Sequence, residues 1–142
     1  MENLLIIGCG DIARRTIPLL SGHFKLYALV RDPGRAAALR SAGVTPIVGD
    51  LDQRRSLHRL AGLAQVVLHL APPDGRGAQD GRTRNLLAVL GQGTLPRRMV
   101  YISTSGVYGD CGGARVSETQ PLWAQTARAR LRVSAERQIR TW

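Results

Sequence analysis

Residues 4–15 read LLIIGCGDIARR. A short apolar run with the length of a buried strand enters Gly8, Gly10 and Ala13, spaced G-x-G-x-x-A, and continues into helix-forming residues. Each small residue answers a physical demand. Gly8 lets the chain turn sharply out of the strand, Gly10 has no Cβ to hold a pyrophosphate away from the backbone, and Ala13 lets the helix lie close on the sheet. Asp11 and Ile12 stand in the first turn of that helix, where unpaired N–H groups and the positive end of the dipole face a bound phosphate. Strand, glycine turn and helix together make a candidate dinucleotide site.

The rest of the chain repeats the same alternation. Strands are expected at residues 26–30, 44–48, 64–70 and 98–104, and helices at 11–20, 35–42, 53–63, 80–90 and 123–139. Pro18 falls inside the first helix and is expected to bend or shorten it, and Pro46 suits an edge strand. The run AQVVLHL at residues 64–70 is apolar throughout, as in strands buried on both faces of a parallel sheet. Right-handed crossovers then give a Rossmann-like, doubly wound α/β sheet of five parallel strands in order 3-2-1-4-5, with helices on both faces. Its ligand belongs at the carboxyl ends of strands 1 and 4, where the order reverses.

Composition narrows the class. The 142 residues amount to one domain, and no apolar run approaches the roughly 20 residues of a membrane span. No basic flank and cleavage site mark a signal peptide, so a cytoplasmic protein is expected. Cys9 and Cys111 make no disulfide framework, and His23, His58 and His69 share no metal-ligand spacing, so no metal is expected. Of 20 basic residues only Lys25 is lysine, and the net charge is +10. The arginines are scattered over nearly every helix with few interleaved aromatics, which reads as solvated helix faces rather than a nucleic-acid surface.

The sequence resembles the NAD(P)-dependent epimerase/dehydratase family of the extended short-chain dehydrogenase/reductase superfamily. The most specific part is VYISTSGVYGD at residues 100–110, similar to the family's fifth strand, its Ser/Thr-rich turn and its Val-Tyr-Gly. Asp50 and Leu51 look like the family's adenine-contacting pair, and Leu70, Ala71 and Pro72 occupy the turn that runs beside the cofactor. Asn85-Leu86-Leu87 is similar to the Asn-Leu-Leu of the next helix. The glycine turn departs from the usual G-x-x-G-x-x-G of the extended branch and is closer to atypical members.

The resemblance implies a catalytic role for Thr104, with Ser105 as neighbour, in hydrogen-bonding a substrate carbonyl or hydroxyl. A second reading of Thr104 is that it only satisfies backbone groups at the strand end. The family's Tyr-x-x-x-Lys pair would fall on Arg128 and Arg132. Arg132 could hold a ribose hydroxyl or phosphate, but a guanidinium does not release protons near neutral pH and replaces no tyrosine.

Cofactor choice rests on the residues after strand 2. Arg31, Asp32 and Arg35 make a cationic site whose carboxylate comes one place late, which leans towards NADP over NAD. The other reading has Asp32 capping the next helix.

The expected function is therefore the NAD(P)-binding domain, residues 1–142, of an oxidoreductase or epimerase acting on a nucleotide sugar or related substrate. This chain alone, without a substrate lobe, is expected to be inactive. The rival is a non-catalytic dinucleotide-binding sensor. An unpaired fifth strand would also invite self-association.

Overall fold

The computed structural model describes residues 1–142, which divide into two compact units: residues 1–72 with 85–102, and residues 73–84 with 103–142.

The first unit is the sheet. Strands β1 (Glu2–Ile7), β2 (Phe24–Val30), β3 (Val44–Val48), β4 (Val66–His69) and β5 (Arg98–Tyr101) pair in the order β3-β2-β1-β4-β5, all parallel. The strand order is the one expected from sequence. Alternation along β1 splits the core in two. Leu5 and Ile7 pack with Leu57, Leu60, Leu86, Val89 and Leu90 on one face, and Leu4 and Ile6 pack with Ala13, Ile17 and Leu39 on the other. Helices α1 (Asp11–Leu20) and α2 (Ala36–Ser41) cover the second face. A 3-10 helix at Arg54–Leu60 and residues 85–90 of α3 (Gly81–Leu90) cover the first. This is the doubly wound α/β arrangement.

Several elements differ from the sequence expectation. Residues 53–63 form a 3-10 helix over Arg54–Leu60 rather than an α-helix. Leu57 and Leu60, both fully buried, satisfy an i, i+3 repeat that a three-residue turn serves as well as an α-turn does. Pro18 neither shortens α1 nor stops it. It removes one late backbone donor, and the Ser21 N–H still closes on the Ile17 carbonyl at 3.0 Å. The helix expected at 35–42 splits into a 3-10 turn at Pro33–Arg35 and α2, because Asp32 caps the Gly34 N–H at 2.9 Å. β5 stops at Tyr101, three residues early, as the chain leaves for the Ser/Thr turn. Of five expected α-helices, four are present.

The second unit is built around α4 (Ala127–Thr141). The expected start at Trp123 moves to Ala127 because Thr126 is the cap, its Oγ1 accepting the Ala129 N–H at 3.1 Å. A 3-10 helix at Ser105–Tyr108 leads into a loop whose Trp123 N–H donates to the Val107 carbonyl at 2.9 Å. Asp80 and Thr83 are fully buried in this unit. The Asp80 carboxylate accepts from the Thr83 hydroxyl at 2.7 Å and from the N–H groups of Arg82 and Thr83. Its N–H donates to Ser134 Oγ at 3.1 Å, and its carbonyl accepts from Gln138 Nε2 at 3.0 Å. No helix is long and apolar enough to cross a membrane.

Candidate dinucleotide site

The site grows from the end of β1. Gly8 has φ +97°, a left-handed conformation that a side chain rarely adopts, and a Cβ there would lie 2.6 Å from the Ala71 amide nitrogen. Only glycine lets the turn after β1 press against the turn after β4. The Leu70 N–H donates to the Ile7 carbonyl at 2.7 Å, so Leu70, Ala71 and Pro72 are fixed directly beside the glycine turn.

Gly10 is the N-cap of α1 and provides no side-chain hydrogen bond to it. A Cβ on Gly10 would meet nothing within 4 Å. The first N–H groups of α1 therefore face open space over a residue without a side chain, which fits a pyrophosphate. Ala13 is fully buried against the sheet, whereas Asp11 and Ile12 are exposed. The Asp11 carboxylate is drawn along the helix to Arg15 Nε at 2.8 Å.

At the end of β2 the cations and the carboxylate separate. Asp32 Oδ1 caps Gly34, as the capping reading expected, and Arg31 is exposed. Arg35 Nη2 donates to the Cys9 carbonyl at 3.3 Å, which sets its guanidinium against the glycine turn. The Cys9 thiol points inward, 3.6 Å from the Leu29 carbonyl oxygen. Burial pushes its pKa up, and the nearby Arg35 charge partly opposes that.

At the end of β3, Asp50 Oδ1 accepts the Asp52 N–H at 2.9 Å, and Ser56 Oγ bridges the Asp50 N–H and carbonyl. The Leu51 side chain belongs to the core, and its carbonyl is held by Asn85 Nδ2 at 2.7 Å. Gly8, Gly10, Asp11, Ile12, Ala13, Arg31, Asp32, Arg35, Asp50, Leu51, Leu70, Ala71 and Pro72 thus all lie in the first unit, mostly at strand ends and in the turns that follow.

Thr104, Ser105 and Arg132 lie in the second unit. Thr104 Oγ1 accepts the Gly106 N–H at 3.3 Å, and Ser105 is exposed. The neighbouring Ser103 hydroxyl is buried without a hydrogen-bond partner. Arg132 is 9% exposed, on the inward side of α4. The Arg35 bond to Cys9 spans 26 residues and leaves no local pattern in the sequence.

A model of the NAD(P)H-binding family matches residues 8–141. No curated protein sequence matches the chain. Among solved structures, a functionally unknown conserved protein from Silicibacter pomeroyi DSS is 31% identical, with a TM-score of 0.72 over 98% of this chain and 48% of its own. A UDP-N-acetylglucosamine 4-epimerase from Methanobrevibacter ruminantium M1 is 17% identical, with a TM-score of 0.79 over 99% of this chain and 50% of its own. A short-chain dehydrogenase/reductase superfamily protein from Agrobacterium tumefaciens with bound NAD is 21% identical, with a TM-score of 0.78 over 97% and 44%. The chain spans about half the length of these relatives. With the glycine turn, the sheet order and the family match in agreement, the chain belongs to the NAD(P)H-binding family.

Proposed function

We propose that this chain is the NADP-preferring, dinucleotide-holding part of an epimerase/dehydratase-like oxidoreductase, acting on a nucleotide sugar or a related carbonyl or hydroxyl substrate. The observation that carries it is the uncapped start of α1 above Gly8 and Gly10, open where a pyrophosphate would lie. When bound, the nicotinamide supplies hydride transfer.

Gly8 and Gly10 admit the pyrophosphate, and the α1 N–H groups donate to it. Asp50 keeps one carboxylate oxygen clear of its own turn and can accept from the adenine amino group. Arg31 and Arg35 offer guanidinium forks to a 2′-phosphate, while Asp32, occupied by Gly34, is poorly placed to accept ribose hydroxyls. Thr104 accepts from Gly106, which leaves its own hydroxyl proton to donate to a substrate oxygen.

Calorimetric titration with NADPH and NADH tests the proposal. Binding of both, NADPH tighter, is expected, and absence of binding to either at millimolar concentration overturns it.

One observation favours a second reading. The resemblance puts the family's tyrosine at Arg128, which is exposed on α4. A sensor that binds the dinucleotide without turning it over needs no such acid. Turnover of any sugar nucleotide or carbonyl substrate that Thr104→Val abolishes would exclude the sensor.

A further inference from the structure

The outer face of the first unit carries a cavity that the dinucleotide reading does not use. It is an open depression of about 410 Å³, lined by Arg54, Arg55, His58, Val89 and Gln92. No carboxylate lines it. Val89, 2% exposed, gives it an apolar floor.

The lining follows from the local fold. With three residues per 3-10 turn, Arg55 and His58 stack on one side of the helix, and His58 Nδ1 is 3.2 Å from the Arg55 carbonyl oxygen. Leu57 and Leu60 are fully buried on the other side and anchor the helix in the core. The cationic heads are thus presented from a fixed base. Arg15, Arg97 and Arg140 each face a carboxylate, whereas neither Arg54 nor Arg55 is in an ion pair. Adjacent guanidiniums without a counter-charge at a concave surface concentrate positive potential.

The lining of the cavity shares no residue with the glycine turn. Asn85 holds the Leu51 carbonyl at the cofactor end of α3. Val89 lies four residues further, roughly 6 Å along the helix at 1.5 Å per residue, and Gln92 lies beyond it.

We propose that this cavity is a second anion site, which takes the phosphate or pyrophosphate group of a small molecule while a dinucleotide occupies the glycine turn. Two guanidinium forks and the Gln92 amide provide more donors than one carboxylate accepts, and they match the oxygens of a phosphate. The volume falls in the range of about 300–1,000 Å³ usual for small-molecule sites. It leaves room beside the anion for an organic group over Val89.

The test is calorimetric titration of the whole chain with inorganic pyrophosphate and, separately, with ADP, in about 0.15 M salt to screen diffuse attraction. Wild type, Arg54→Gln/Arg55→Gln, His58→Ala and Gly10→Val are compared. Pyrophosphate or ADP binding that persists in Gly10→Val, and weakens about tenfold or more in the double arginine variant, supports the site. His58→Ala, whose ring Nδ1 faces the Arg55 carbonyl, is expected to change it by less than about twofold. ADP binding tighter than pyrophosphate identifies an organic carrier, and the reverse identifies the free anion. Equal binding by wild type and the double variant, loss in Gly10→Val alone, or no binding at millimolar concentration overturns the proposal. Absent NADPH binding in all four proteins would instead speak against the dinucleotide reading and leave this result untouched.

Discussion

Gly8 and Ala71 meet backbone to backbone: a Cβ on Gly8 would stand 2.6 Å from the Ala71 nitrogen and 2.8 Å from its Cα. Gly8→Ala therefore combines a strained positive φ with a clash against main chain that cannot swing away. It is expected to lower stability by about 2–4 kcal/mol in urea unfolding. The Cβ added in Gly10→Val meets no neighbour and the backbone keeps an ordinary φ of −88°, so its stability should stay within about 1 kcal/mol of wild type. Its dinucleotide affinity should fall about tenfold or more. The pair separates folding from binding within one turn.

Cofactor preference should follow the cations at the end of β2. Arg35→Met is expected to weaken NADPH binding about tenfold, near 1.4 kcal/mol, and to change NADH binding little. Arg31→Asp should shift preference towards NADH. Unchanged relative affinities in both variants, measured by calorimetry, would remove these residues from the 2′-phosphate contact.

Glu2, at the start of β1, is paired with Arg97, whose Nε donates to Glu2 Oε1 at 2.8 Å. The Arg97 hydrogen bond holds the Glu2 carboxyl below its ordinary range. A carboxyl lowered on folding stabilises the protein above its unfolded pKa, and that contribution fades as pH falls through the folded value. Arg97→Met should thus lower Tm slightly at neutral pH. The difference from wild type should shrink towards about pH 3, in melts followed by circular dichroism.

Cys9 should alkylate slowly at pH 8, because burial disfavours the thiolate. The rate should climb with pH and fall further with saturating dinucleotide. Mass spectrometry can follow Cys9 against Cys111 in the same sample. Rapid, pH-independent labelling of Cys9 would contradict the inward placement of its sulfur.

Asp80 is fully buried and caps the start of α3 with Thr83. Asp80→Ala removes an acceptor from the Thr83 hydroxyl and from two backbone N–H groups, and is expected to cost about 2–3 kcal/mol. Asp80→Asn, which keeps acceptor oxygen, should cost less.

The fold was legible where the pattern is local. LLII running into Gly8, the apolar 64–70 run and the spacing of turns suffice for the strand order. The helix at 54–60 was misjudged because Leu57 and Leu60 repeat identically in 3-10 and α geometry. Asp32 was readable both as a ribose acceptor and as a cap, and only its bond to Gly34 shows it capping. The bonds from Asp80 to Ser134 and Gln138 span 54 and 58 residues, and no sequence period encodes them. The cavity beside Arg54 was invisible for a related reason: its wall and floor come from segments more than 30 residues apart.

The bond from Arg35 to the Cys9 carbonyl also bears on timing. It is a single 3.3 Å hydrogen bond on an exposed side chain, and it clasps the segment after β2 to the glycine turn. On the opposite flank the Gly8 backbone lies against Ala71 with no room for a Cβ between them. In the proposed site, the Arg35 bond is the contact that a 2′-phosphate would compete for. A ligand bearing a 2′-phosphate can draw Arg35 off the carbonyl and keep it, whereas one without that phosphate leaves the clasp free to close again. Discrimination between the two nucleotides is then expected in their residence times more than in their rates of arrival.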